Sequence, residues 1–263
     1  MWIQIMKVAI SISGETRNHN EPDIYKQFWN HMDKFTSGHD CDFYGHTWTR
    51  CDSPKSEDKL KRFVKTDQNE IWETFARQNI FDAIPFTRTK DPRFIEILED
   101  TETGAFAKWC RERIDVSYGQ FWSFYHSFKN VDVSGYDACL RWRWDHSVYL
   151  ENVDQFWESI NDWLNVKTGM QQHIDVYVAS PGNSLAMHDC AFALKPSALQ
   201  KIYSEPIAKS MERTILKNHP DRWDAHRLWN TWFDTLKVEI GHGHPIISSG
   251  LYKKERPYKY WQN

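Results

Sequence analysis

The sequence of 263 residues lacks several features that would identify a class of protein at once. No apolar run approaches the roughly 18 residues that a membrane-spanning helix needs, so no membrane span is predicted. The start, Met1 to Lys7, has no long apolar stretch behind basic residues and is not predicted to be a signal peptide. The five cysteines are odd in number and include no Cys-x-x-Cys pair, which indicates neither a disulfide framework nor a zinc knuckle. We therefore expect reduced thiols and a cytoplasmic location.

Motifs of several catalytic classes are also missing. The chain has no Walker A loop, no G-x-G-x-x-G fingerprint, no G-x-S-x-G nucleophile elbow and no H-E-x-x-H pair. Its formal net charge of -3 gives no global basic field that would attract nucleic acid or an anionic membrane, although a local basic cleft is compatible with it. A hydrophobic fraction of 40% at this length is enough for one large core, so one domain is expected, with two small domains as the alternative.

Aromatic residues, by contrast, are abundant. The chain contains 14 tryptophans, and aromatic residues make up 15% of it. Tryptophan offers a large rigid surface with one polar atom. These residues therefore either pack the core, which is the more common use, or form stacking platforms for sugar rings or bases.

Short apolar runs alternate with runs of helical period along the chain. Strands are predicted at 7–13, 42–48, 81–85, 136–145 and 174–179. Helices are predicted at 23–35, 69–79, 117–130, 153–164, 196–203, 205–218 and 223–240. The remaining segments with a clear character are interpreted as a surface connection at 51–67, a mobile excursion at 87–103 and a loop at 241–245. The alternation predicts an α/β layered fold with a central, mostly parallel sheet in a single domain (1–263), with a helical and basic-aromatic C-terminal extension from about residue 205.

Ligands of such sheets bind outside the carboxyl ends of the strands. The first strand ends in Ser13 and Gly14, and Arg17 follows. Glycine permits close approach of the backbone, and arginine can pair with a diphosphate through two hydrogen bonds. The same pattern also fits an ordinary turn. His46 lies at the end of the second predicted strand.

The segment from Arg141 to Asp145 has the most unusual composition of any predicted strand end. Alternate residues of a strand share a face, so Arg141, Arg143 and Asp145 are expected on one face, with Trp142 and Trp144 on the other. Charges on a buried face need partners. Those partners are either a ligand that carries phosphate and metal, or one another in a structural Arg–Asp pair at a sheet edge.

Two further segments carry candidate catalytic or metal-binding side chains. His242 and His244 lie in a glycine-rich stretch, where they are either solvated or ligands of a transition metal such as Mn²⁺. Asp189 follows His188 and is a candidate general base, although a polar turn before the helix from Pro196 is the more common explanation of such a pair.

Four short motifs occur in an order that resembles a family of small glycosyltransferases found in bacterial polysaccharide loci and in phage and virus genomes. They are Ile12-Ser13-Gly14-x-x-Arg17, Asp42-Phe43-Tyr44-Gly45-His46-Thr47-Trp48, Gln120-Phe121-Trp122-Ser123, and Tyr136-Asp137 followed by Arg141, Arg143 and Asp145. The resemblance covers residues 7 to 195. It implies a GT-A-like (Rossmann-like) fold, a nucleotide-sugar donor and a divalent metal, Mn²⁺ or Mg²⁺.

The resemblance also implies roles for individual residues of this chain. The donor would be bound by Ser13, Gly14, Arg17, His46, Arg141 and Arg143. Asp145 would bind the metal and act in catalysis, with His244 or His242 completing the metal site and Asp189 as the base if transfer inverts the sugar. Arg143 occupies the first acidic place of the usual Asp-x-Asp, so we expect it to neutralise the diphosphate directly.

The sequence therefore predicts a glycosyltransferase that moves a sugar from a nucleotide-sugar donor to a hydroxyl acceptor, either a glycan or a modified nucleobase. One alternative is a phage enzyme that modifies DNA bases, in which the basic and aromatic tail from Tyr252 to Trp261 binds a DNA strand. Another is a carbohydrate-binding protein without catalytic activity, which uses tryptophan platforms.

Overall fold

The computed structural model describes residues 5–14, 22–48, 92–100, 118–144, 153–166, 170–178, 191–217 and 225–242. The described strands are β1 (Lys7–Ser13), β2 (Asp40–Trp48), β3 (Phe94–Asp100), β4 (Ala138–Arg143), β5 (Val176–Val178), β6 (Ala191–Leu194) and β7 (Ile240–His242). The described helices are α1 (Pro22–Phe35), α2 (Tyr118–Ser127), α3 (Val153–Asn165), α4 (Pro196–Ile202), α5 (Ile207–Lys217) and α6 (Ala225–Thr235). Short 3₁₀ turns occur at Val133–Gly135 and Met170–His173.

The seven strands form one sheet in the order β3-β2-β1-β4-β6-β5-β7. Strands β1, β2, β3 and β4 are parallel to their neighbours within this group, and β5 is parallel to β7. Strand β6 is antiparallel to both β4 and β5. The prediction of an α/β layered fold with a mostly parallel central sheet is therefore confirmed.

Strand β1 has the bounds that its sequence predicts, Lys7–Ser13, and lies inside the sheet between β2 and β4. Every residue from Val8 to Ser13 is buried because helices cover both faces of this strand. A strand buried on both faces is apolar along most of its length, as parallel strands of such sheets usually are. Two serines, Ser11 and Ser13, break that apolar run.

Helices α1 and α3 cover one face of the sheet. In α1 the buried residues recur every three or four positions, as in an amphipathic helix, and they are Tyr25, Phe28, Trp29, Met32 and Phe35. Asp23 in the first turn and Lys34 in the last turn complement the helix dipole. Together with α3 and the inward residues of β1 and β4, this helix forms one hydrophobic cluster.

The other face of the sheet is covered by α2, α4, α5 and α6. Aromatic rings from α2 and α6 meet at the centre of this second cluster, where Phe121 stacks on Trp229 with ring centroids 4.1 Å apart. Of the tryptophans whose side chains are described, all but Trp122 are buried. The described tryptophans thus mostly pack the core, which is the more common of their two uses.

Three elements differ from the sequence interpretation. The predicted mobile excursion at 87–103 is wrong for Phe94–Asp100, which forms β3 and pairs in parallel with β2. Phe94 is buried and packs edge-on against Trp29, with ring centroids 5.4 Å apart. The charged residues of this segment do not follow the apolar pattern by which strands are predicted, although charged side chains are common on strands at the end of a sheet.

Strands β6 and β7 were not predicted. Strand β6 has only four residues and comes directly before the helix that starts at Pro196. The predicted helix 223–240 ends at Thr235, and Lys237 adopts a φ of 56° in the turn that leads to β7. Gly241, assigned to a loop from sequence, lies in β7, where an added Cβ would approach Ile174 Cδ1 to 2.5 Å. Close packing therefore explains this glycine.

Other predicted elements are close to those observed or lie outside the described residues. The helices predicted at 23–35, 117–130, 153–164, 196–203 and 205–218 all occur, with shifted ends. From residue 205 onward, α5 and α6 pack in the second cluster and β7 joins the sheet. The segments 51–67, 69–79, 81–85 and 253–263 lie outside the described residues. No helix in the described ranges has the length and apolarity required to cross a membrane.

Candidate functional site

The order of the strands changes direction at the boundary between β1 and β4. From β1 the chain builds the sheet in one direction, through β2 to β3, and then returns to place β4 on the opposite side of β1. Such a reversal is a topological switch point, where ligands of α/β sheets bind outside the carboxyl ends of the strands. The residues at these carboxyl ends are Ser13 and Gly14 of β1 and Arg143 of β4.

Three of the predicted donor-binding residues lie side by side at this edge. Ser13 is the register partner of His46 on β2 and of Arg143 on β4. All three belong to the face that α2 covers, because they alternate with residues that pack against α1 and α3. Ser13 and His46 are buried, whereas Arg143 is half-buried. The row thus has one cation at its β4 end and neutral polar groups on β1 and β2.

Gly14 ends β1 with a φ of +112°, a conformation that disfavours residues with a Cβ. Its N–H donates to Ser123 Oγ at 2.7 Å and lies 3.3 Å from the carbonyl oxygen of His46. An added Cβ would meet no described atom within 4 Å, so the backbone conformation, rather than crowding, requires glycine here. The N–H of Gly14 is thus hydrogen-bonded within the protein.

Ser123 on α2 connects the ends of β1 and β2. Besides accepting from Gly14, its Oγ lies 2.9 Å from His46 Nδ1 and 3.3 Å from the carbonyl oxygen of His46. One turn later, Ser127 Oγ lies 2.5 Å from Ser11 Oγ and donates to the carbonyl oxygen of Phe124 at 2.7 Å. These two serines hold α2 against the sheet at two points, one at the end of β1 and one in its interior.

His46 is a neutral hydrogen-bonding group rather than a charged one. Burial, and to a lesser extent the nearby His126, lowers the pKa of His46 to about 3. The two imidazole rings have centroids 5.9 Å apart. At neutral pH this part of the edge therefore contributes polarity without positive charge.

Arg141 lies one row below the edge, where it is the register partner of Ser11 and Phe192. Its side chain is fully buried, and its guanidinium carbon lies 4.9 Å from the ring centre of Trp229 and 5.5 Å from that of Phe192. Cation–π contacts of this kind stabilise a desolvated arginine by up to about 2 kcal/mol. Of the two arginines on β4, Arg143 is the one at the strand end.

The other face of β4 matches the alternation expected from sequence. Trp142 packs against Phe35 with ring centroids 5.3 Å apart, and Trp144 packs against Phe28 at 5.7 Å. Both tryptophans belong to the cluster formed with α1 and α3. Arg141 and the tryptophans thus lie on opposite faces of the same strand.

Several predicted site residues lie outside the described residues, namely Arg17, Asp145, Asp189 and His244. His242 ends β7, which is three strands away from β4, so the two strand ends are about 14 Å apart at the usual spacing of strands. Within the described ranges no three His, Cys, Asp or Glu residues come together in a group that could hold a metal ion.

Two residues that contribute to this region were not selected from the sequence. Ser123 belongs to one of the four motifs, and a pair of serines four residues apart in an aromatic-rich helix marks a face that packs against polar groups. Trp229, which contacts Arg141, lies 88 positions further along the chain, and no local pattern links the two.

Comparisons with known proteins do not assign a family: no protein-family model matches the chain, and no curated protein matches it at a significant level.

Proposed function

We propose that this chain is a glycosyltransferase that transfers a sugar from a nucleotide-sugar donor to a hydroxyl group of an acceptor, and that its fold belongs to the GT-A class. The observation that carries the proposal is the row of Ser13, His46 and Arg143 at the switch point between β1 and β4. A mostly parallel sheet with helices on both faces is compatible with the GT-A class.

The polar groups of this row suit a ligand that is anionic at one end. Arg143 is half-buried at the end of β4, and a guanidinium pairs with phosphate oxygens through two parallel hydrogen bonds. Ser13 and His46 add neutral groups beside it. A nucleotide sugar combines a diphosphate, or a single phosphate, with many hydroxyl and N–H groups, and so fits both parts of the row.

In the proposed reaction the acceptor hydroxyl oxygen attacks the anomeric carbon of the donor sugar. The bond from that carbon to the phosphate oxygen breaks, the electron pair leaves with the nucleotide, and the hydroxyl proton passes to a base, for which Asp189 is the candidate if the sugar is inverted. Positive charge near the leaving phosphate lowers the barrier because negative charge accumulates there. Arg143 supplies that charge from the end of β4.

The proposal includes Mn²⁺ or Mg²⁺ bound by Asp145 and His244, and such an ion would neutralise the leaving phosphate in the same way. Both residues lie outside the described residues. Among the described residues, the groups that would bind the donor are therefore Arg143, Ser13 and His46. Asp145→Asn is expected to abolish transfer while leaving the thermal unfolding midpoint unchanged.

The first experiment is a thermal-shift screen of the full chain with UDP-glucose, GDP-mannose, CMP-N-acetylneuraminate and dTDP-glucose, each with and without Mn²⁺. One of these donors should raise the unfolding midpoint, because a ligand that binds only the folded state stabilises it. No shift with any of them, together with binding of free glycans, would instead support a carbohydrate-binding protein. Steeply salt-dependent binding to DNA would support a DNA-modifying enzyme.

The role of Arg143 can be tested with a matched variant. Arg143→Ala is expected to weaken binding of the nucleotide sugar by about 10- to 100-fold, which is the usual loss for one or two charge-assisted hydrogen bonds. The control is Arg213→Ala on α5, whose exposed guanidinium pairs with Glu205. That control removes the same charge from outside the row and should bind the donor like the wild type in titration calorimetry. Equal affinities of the two variants would contradict the proposed site.

A further inference from the structure

The direction of α2 follows from its two serine contacts. Ser127, near the end of the helix, contacts Ser11 in the interior of β1, whereas Ser123 contacts Gly14 just beyond the end of β1. Phe128 confirms this direction because its ring lies beside Tyr44, with centroids 6.0 Å apart, two residues before His46 on β2. Helix α2 therefore runs antiparallel to β1, and its first turn extends past the carboxyl edge of the sheet.

Gln120 lies in this first turn, three residues before Ser123. Residues three or four apart share a face of a helix, so Gln120, Ser123 and Ser127 form one polar stripe toward the sheet. A rise of 1.5 Å per residue puts Gln120 about 4.5 Å further along the helix than Ser123. Since Ser123 already contacts Gly14 at the strand end, Gln120 lies above the edge that carries Ser13.

Ser13 and Gln120 share an unusual property. The Oγ of Ser13 and the Oε1 of Gln120 are both buried, and within the described part of the chain neither atom forms a hydrogen bond. Ser13 as a whole is fully buried. Buried polar atoms in native proteins are nearly always hydrogen-bonded, and those that are not require an explanation. The neighbouring Ser11 and Ser123, on the same faces of the same elements, are both bonded.

We propose that Ser13 and Gln120 form a binding subsite for a neutral hydrogen-bond donor of the ligand. Gln120 Oε1 accepts from an O–H or N–H group of that ligand, and Ser13 Oγ contributes a second hydrogen bond from the floor of the site. The subsite rests on the proposed function, in which this neutral group is a hydroxyl of the sugar or ribose or an N–H of the base. The subsite would recognise the uncharged part of the donor, whereas Arg143 would bind the phosphate.

The surroundings favour an uncharged ligand group. The side chains that flank Ser13 on the β2 side are Ser123 and His46, and His46 is neutral near pH 7 because burial lowers its pKa. The cation of the row, Arg143, lies on the β4 side of Ser13. The two bonded serines of α2 hold the helix in place, so Gln120 is positioned before the ligand arrives, which reduces the entropy lost on binding.

Ser13 and Ser11 provide a matched pair for the test. They lie on the same face of the same strand, and both are fully buried, but only Ser11 has a hydrogen-bond partner in the described ranges. Ser13→Ala is expected to bind the best nucleotide sugar of the screen about 5- to 20-fold more weakly and to keep the unfolding midpoint of the free protein. Ser11→Ala is expected to lower that midpoint and to keep the affinity.

Gln120 has its own control in Gln27, which is exposed on α1. Gln120→Leu should weaken the same nucleotide sugar about 5- to 20-fold, whereas Gln27→Leu should not change its affinity. Titration of the corresponding free nucleotide separates the sources of the hydrogen bond. If Gln120→Leu binds both the nucleotide sugar and the free nucleotide more weakly, the hydrogen bond is made by the base or the ribose. If it binds only the nucleotide sugar more weakly, the hydrogen bond is made by the transferred sugar. Either result supports the subsite.

Two results would overturn the subsite while leaving the proposed function intact. One is a wild type that binds a nucleotide sugar together with Gln120→Leu and Ser13→Ala variants that bind it equally well. The other is a Ser13→Ala variant that loses midpoint as Ser11→Ala does and retains its affinity, which would make the hydroxyl structural. A wild type that binds none of the four nucleotide sugars or their free nucleotides would refute the proposed function and, with it, the subsite.

Discussion

The two faces of the central strands carry opposite chemistry. On the face toward α1 and α3, β4 presents Leu140 and Trp142 to a hydrophobic cluster. On the other face the same strand presents Arg141 and Arg143, and β1 presents Ser11 and Ser13. Because side chains alternate along a strand, a register error of one residue would exchange the two sets. The contrast in chemistry therefore also specifies the pairing of the strands.

Apolar and polar side chains on these faces differ in what their burial requires. Apolar rings gain free energy from burial alone, whereas each buried polar group must recover its lost hydration through a partner. Ser11, Ser123 and Ser127 find their partners inside the protein. Ser13 does not find one among the described residues. We infer that the clusters on both faces stabilise the fold and that the upper part of the face toward α2 also serves a ligand.

The largest expected effect comes from the apolar face. Trp142→Ala should reduce the free energy of unfolding by about 3–5 kcal/mol, because it leaves a cavity beside Phe35 in a fully buried cluster. Urea denaturation measures this loss. The control is Ile95→Ala on β3, whose side chain is 65% exposed and whose loss should cost less than about 0.5 kcal/mol. A similar cost for both variants would mean that burial of Trp142 against Phe35 does not stabilise the fold.

A smaller effect is expected from the serine that links the polar face to α2. Ser123→Ala removes a partner of both the Gly14 N–H and the His46 imidazole, and should reduce the free energy of unfolding by about 2 kcal/mol. Ser159→Ala makes the same change in the middle of α3, where the hydroxyl donates only to the carbonyl oxygen of Gln155. Equal unfolding free energies for the two variants would show that Ser123 does not hold the strand ends together.

The smallest effect is a dependence on pH. The pKa of His46 falls from 6.5 to about 3 on folding because of burial, so between these values the unfolded chain binds one more proton than the folded one. This contribution to stability is complete above about pH 6.5 and is lost as the pH decreases, at up to about 1.4 kcal/mol per pH unit. His46→Asn should flatten the curve of unfolding free energy between pH 6.5 and 5. Parallel curves for the variant and the wild type would contradict the assignment.

How far the sequence predicts this structure depends on the length of each pattern. The strand Lys7–Ser13 and the helix near Pro22–Phe35 follow from clear periodicity over seven or more residues. The three-residue β7 is too short to show any period. It is defined by its parallel pairing with β5, in which Gly241 is the register partner of Tyr177 from a distant part of the chain. Element type was thus predictable where local pattern and tertiary packing agree.

The site shows the same division. The positions of Ser13 and Arg143 at strand ends, and that of His46 two residues before the end of β2, were predictable from alternation and from the general location of ligands in such sheets. That these three residues lie next to one another depends on the order of the strands in the sheet, and no local sequence pattern predicts this order. The hydrogen bond from Gly14 to Ser123 and the ring of Trp229 against Arg141 depend on helices that follow much later in the chain.

The central position of β1 has a consequence for biosynthesis. This strand leaves the ribosome before the other described strands, but one of its two neighbours is β4, where Val8 pairs with Ala138. At usual rates of translation, about ten seconds pass before that partner has been made. During this time one edge of an apolar strand has no neighbour, and such edges pair readily with other chains. The nascent segment that contains β1 is therefore expected to need the ribosome surface or a chaperone until β4 emerges.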